Sequence, residues 1–98
     1  VTAFARENSQ EEKVAYHSSV QVPAGQMSQV EWRKLAKVSK ADAIRAAKGV
    51  VAGTVIETKL ENEAQNLVYT VEIRSGRNTT EVIVDAGTGK VLASGAEQ

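Results

Sequence analysis

From Gly53 to Ala93 the chain alternates apolar and polar residues through four short segments in a row, each closed by turn-forming residues. Period two marks a strand with one buried and one solvated side. Ile56, Thr58 and Leu60 alternate with Val55, Glu57, Lys59 and Glu61. Leu67, Tyr69, Val71 and Ile73 alternate with Val68, Thr70, Glu72 and Arg74. Thr80, Val82 and Val84 alternate with Glu81, Ile83 and Asp85, and Val91 and Leu92 follow the turn Ala86-Gly87-Thr88-Gly89. Pairing Leu60 with Leu67 sets Ile56 against Val71. Pairing Ile73 with Thr80 sets Val71 against Val82 and Tyr69 against Val84, and the last turn brings Val84 to Val91. A slip of one residue would turn every apolar side chain to water, so such a register is tightly specified.

A helix stands immediately before this meander. Ser39-Lys40-Ala41-Asp42 supplies a capping hydroxyl and a first-turn acid ahead of Ala43, Ile44, Ala47, Val50 and Val51, with Gly53 placed to stop the helix. Ser28-Gln29-Val30-Glu31 has capping-box spacing and predicts a short helix to about Lys37. Lys13 to Val22 alternates with β-branched residues and predicts a strand, ended by Pro23 and Gly25. Residues 1–12 are polar and read as a flexible arm or short helix, and 13–98 as a single domain. The expected class is α+β: an antiparallel meander packed on one main α-helix, with an additional N-terminal strand and short helix.

Lys plus Arg and Asp plus Glu are 12 each among 98 residues. That balance lacks the concentrated basic face of a nucleic-acid footprint. The absence of cysteine excludes disulfides, thiolate metal sites and cysteine nucleophiles. No apolar run reaches the length of a membrane span. The chain begins at Val1 without a signal-like segment, which fits a mature chain or a piece of a longer protein.

No constellation for catalysis emerges. His17 is the only histidine, and it lies among Ser and Lys on the expected strand, where an exposed side chain is the simpler reading. Gly87-Thr88-Gly89-Lys90 looks like a phosphate loop, yet Val84 and Val91 stand where that motif needs Gly and Ser or Thr. Asn78-Thr79-Thr80 fits a glycosylation sequon but reads as a turn entering a strand. Gly49 and Gly53 have helix-dimer spacing without a membrane helix around them. Glu72 and Glu81 face each other across a hairpin, and a solvated sheet face with Arg74 nearby accounts for them better than a glycosidase pair. No catalytic, cofactor-binding or metal-binding residue is therefore assigned. The candidate partner surface is the outer side of the meander, where Val55, Val68, Ile83 and Leu92 interrupt the polar residues.

From Val38 to Leu92 the chain resembles the PepSY domain family. The resemblance lies in Val38-Ser39-Lys40-Ala41-Asp42-Ala43-Ile44, in Gly53 to Glu61, in the strand Leu67 to Ile73, and most specifically in Asp85-Ala86-Gly87-Thr88-Gly89-Lys90-Val91. It implies a cystatin-like arrangement, a bacterial periplasmic or secreted setting, and a noncatalytic role as inhibitor or regulator of a peptidase. The alternative is a structural or sensory interaction domain of the bacterial envelope with a nonpeptidase partner. No nucleic acid, cofactor or membrane span is expected, and a homo-oligomer is left open.

Overall fold

Four antiparallel strands lie side by side in sequence order: β1 Thr54–Glu63, β2 Asn66–Ser75, β3 Asn78–Asp85 and β4 Val91–Ala96. They come from a computed structural model that describes residues 15–25 and 27–97. Two helices precede them, α1 Gln29–Leu35 and α2 Lys40–Lys48. Each opens on a complete capping box, Ser28 with Glu31 and Ser39 with Asp42. In each box the hydroxyl accepts from the third helical amide and the acid accepts from the cap amide, which satisfies two otherwise orphaned donors. Two helices cover the sheet, α2 across β1 to β3 and α1 against β1. α2 ends at Lys48 with Gly49 as its cap, four residues short of the Gly53 stop expected from sequence.

The core lies between helices and sheet. Ala43 and Ala47 are fully buried and meet Leu60, Leu67, Tyr69, Val71, Ile73, Val82 and Val84. Alanine on the inward face of α2 lets its backbone approach the strands closely. Trp32, Val38 and Val51 close the margins.

The β2–β3 register is as expected, with Ile73 opposite Thr80, Val71 opposite Val82 and Tyr69 opposite Val84. Val84 also meets Val91. The β1–β2 register differs by two residues: Leu60 pairs with Tyr69 and Thr58 with Val71. Ile56 is a bulge between Val55 and Glu57 and is 44% exposed, so it does not share the inward face. The cause is a two-residue turn at Ala64-Gln65, both at positive φ (51° and 72°). Primed turns of this kind match the twist of the flanking strands but favour Asn and Gly at both positions. Replacing Ala64-Gln65 by Asn-Gly should therefore stabilise the domain by about 1 kcal/mol. A thermal melt should rise by roughly 5 °C.

The expected strand from Lys13 to Val22 reduces to a single bridge, Gln21 to Asn66, within an irregular segment. Lys13, Val14 and the expected arm at 1–12 lie outside the described residues. β3 ends at Asp85 opposite Val68, so the first residues of β2 lack a neighbour there. The segment supplies one: the Leu67 amide donates to Val20 O at 3.0 Å, and Val22 donates to Gln65 O at 2.9 Å. Ser18 interrupts the ladder, because its hydroxyl donates to Leu67 O (2.7 Å) and its amide to Asn66 Oδ1 (2.8 Å). Serine side chains that bond locally to backbone compete with strand pairing.

Candidate partner-binding surfaces

The outer face of the sheet carries a row of acids. The register places Glu57 opposite Glu72 and Glu72 opposite Glu81. Lys59 lies within 3.7 Å of Glu57 and 3.9 Å of Glu61. Partial burial, then the neighbouring Glu97 carboxylate, push the Glu81 carboxyl above its usual range, with Glu61 adding to the effect and Lys59 opposing it. Glu72 is raised likewise, by desolvation first and then by Glu97, Glu57 and Glu81. A carboxyl whose pKa is raised by folding holds its proton more tightly in the native state. Stability therefore falls as pH climbs from the unfolded range, about 4, through the raised value. Glu81→Gln should raise the melting temperature at pH 7, and the gain should shrink to nothing near pH 4. Melts across pH 3.5–8 check the sign.

The four apolar residues expected on this face do not form one exposed patch. The bulge at Ile56 puts Val55 opposite Ile73 and packs it against the core on the helix side. Val68 and Ile83 do lie on the outer face but are buried, at 0% and 3% exposure. Leu92 is half-buried at an irregularity where Ile83 meets Ala93 and Val84 meets Val91. Ile83→Lys would thus disturb the fold rather than report on association. His17 is exposed. Among the described residues no group of three His, Asp or Glu is placed to hold a metal. No helix among them is long and apolar enough to cross a membrane.

The helix side offers a different feature, which alternation alone did not reveal. A groove of about 920 Å³ runs between α1, the α1–α2 connector and β1. Trp32, Arg33, Lys37 and Lys40 line its helical wall, and Thr58, Leu60 and Asn62 its strand wall, with Tyr69 beside them. The connector is anchored on both sides. Lys37 and Val38 amides donate to Ala86 O at 2.8 and 3.1 Å, and the Tyr69 hydroxyl donates to Val38 O at 2.9 Å. Burial, then the Asp42 carboxylate, raise the Tyr69 pKa while Arg33 opposes them, so the hydroxyl remains a donor.

β1 is an edge strand. Gln29 Nε2 donates to Leu60 O at 2.9 Å, so that carbonyl points away from β2. Period two then places the backbone groups of Thr58 and Asn62 on the same open side. An edge of this kind is a template for another strand, and a side chain such as Gln29 blunts it. The capping-box start at Ser28 was the one cue in the sequence that could place α1, and hence Gln29, along this edge.

The profile of the PepSY family, described as peptidase propeptide and YPEB domain, matches residues 37–94, and the chain belongs to that family. No curated protein and no solved structure matches it significantly.

Proposed function

We propose that this chain is a noncatalytic module that binds a peptidase and restrains it by occluding the substrate groove. The observation that carries this reading is membership of a family described by peptidase propeptides. The open edge of β1 supports it, because a strand edge docks through main-chain hydrogen bonds whatever the partner's sequence, leaving specificity to neighbouring pockets. The setting this role requires is extracytoplasmic, in the bacterial periplasm or outside the cell. The test is titration of the purified chain into secreted metallopeptidases of the source organism. The expected result is saturable loss of activity together with a complex on gel filtration. Full activity at excess chain, with no complex to any secreted peptidase, would contradict it.

A further inference from the structure

Three properties of the groove beside β1 define what would fill it. The first is backbone geometry. Thr58 and Asn62 present their main-chain groups to the groove side, and the Gln29 amide already occupies Leu60 O as an incoming strand's N–H would. The second is a pair of polar atoms without partners: Trp32 Nε1 and Thr58 Oγ1 are buried with no hydrogen bond, and both residues line the groove. A buried donor left unmade costs about 1–3 kcal/mol. A peptide carbonyl running along β1 would offer the indole N–H an acceptor.

The third property is charge. Arg33, Lys37 and Lys40 stand exposed on the helical wall, and no ion pair among the described residues engages them. Lys59, Glu61 and Glu63 also line the groove, so its cations outnumber its acids by four to two. Glu61 is out of step with Thr58, Leu60 and Asn62, so its carboxylate leaves toward the opposite face. On that face Glu61 approaches Lys59 and accepts from the Thr70 hydroxyl at 3.5 Å. Asp42 is engaged by Ser39 and Arg45.

We infer that the groove receives an extended segment of a partner protein bearing carboxylates at alternate positions. Its backbone lengthens the sheet beyond β1 between Thr58 and Asn62, displacing Gln29, and its acids meet Arg33, Lys37 and Lys40. This rests on the reading of the chain as a partner-binding module, and it adds the face used and the chemistry recognised.

Trp32 is the only tryptophan and reports on this groove directly. The probes are a capped decapeptide alternating Thr and Glu, and its counterpart with Lys for Glu. The acidic peptide alone should change Trp32 emission saturably and shift the amide resonances of Thr58, Leu60 and Asn62. The triple variant R33E/K37E/K40E should weaken that binding by about tenfold or more with an unchanged melt, since all three side chains are exposed. Equal binding of both peptides, binding of neither at millimolar concentration, or shifts confined to β4 would overturn the inference. So would a concentration-dependent dimer with the same amide shifts, which would assign the edge to a second copy. No peptidase enters this assay. A triple variant that still inhibits a peptidase would sink the groove assignment and leave inhibition standing. Acidic-peptide binding by a chain that restrains no peptidase would support the groove and sink inhibition.

Discussion

Asp85→Ala should lower the unfolding midpoint by about 15 °C, although the residue is a polar one at the end of β3. Its carboxylate is almost wholly buried and ties three pieces of chain together. Oδ2 accepts from the Ser19 amide at 2.8 Å, and Oδ1 from the Ser19 hydroxyl at 2.8 Å and the Gly87 and Thr88 amides at 2.6 and 3.1 Å. Truncation leaves those amides without an acceptor. At roughly 1.5–3 kcal/mol for each hydrogen bond to a charged group, partly recovered by water, the net loss is about 3 kcal/mol. For a domain of this size that corresponds to the midpoint drop stated. Asp85→Asn should fall between, because its Oδ1 still serves Gly87 and Thr88 while its NH₂ opposes the Ser19 amide. The same contacts set the pH response. Burial alone would raise the Asp85 pKa, but the bonds from Ser19, Gly87 and Thr88 outweigh it and hold the carboxyl below its usual range. A depressed carboxyl contributes stability above the unfolded pKa of about 4, and that stability is lost as pH falls through the folded value. Wild type should therefore lose stability below pH 4 more steeply than Asp85→Ala. Parallel slopes for the two proteins would show that folding leaves the Asp85 pKa unshifted.

Gly53→Ala should be comparably damaging, at roughly 3–5 kcal/mol. Gly53 has φ of +140°, which L-residues with a side chain rarely adopt. An added Cβ would also fall on the Arg74 carbonyl oxygen and come within 2.9 Å of Ile73 Cγ2. The backbone cannot retreat easily, because the Ser75 hydroxyl donates to Ala52 O and stitches this connector to the end of β2. Gly76 is the control. It also has positive φ, but nothing lies within 4 Å of where its Cβ would be. Gly76→Ala should cost about 1 kcal/mol, the backbone term alone. Urea unfolding of both variants compares Gly53, at φ +140° with a close approach, to Gly76, at φ +64° in open space. Equal losses would contradict the close approach at Gly53.

These two sites show where sequence reasoning reaches and where it stops. The β2–β3 hairpin was legible because both strands alternate cleanly and Ser75-Gly76-Arg77-Asn78 announces its turn. β1 was placed two residues out because Ala64 and Gln65 carry no turn signature, and a bulge at Ile56 reverses the inward side partway along the strand. Val55 was thereby assigned to the wrong face. The segment before Pro23 alternates as a strand would, yet the Ser18 hydroxyl and amide donate to Leu67 O and Asn66 Oδ1, and the Ser19 amide and hydroxyl to Asp85, a long-range polar clasp that no local pattern encodes. Gly53 was read as a helix stop because glycine commonly serves that purpose, and its real constraint, the approach of β2, is tertiary. The groove was hidden for the same reason. Trp32, Lys40 and Thr58 belong to three separate elements, and only packing of α1 on the edge of β1 brings them together.

Among the described residues β1 is an edge strand, with the Gln29 amide on its Leu60 carbonyl and Arg33, Lys37 and Lys40 alongside in no ion pair. Amide hydrogen exchange, measured on the free chain and on its complex with a secreted metallopeptidase it inhibits, tests the account most directly. The account predicts new protection at the Thr58, Leu60 and Asn62 amides of β1, with β4 exchanging as in the free chain. A complex that leaves β1 unchanged and protects β4 or the outer acidic face would contradict it.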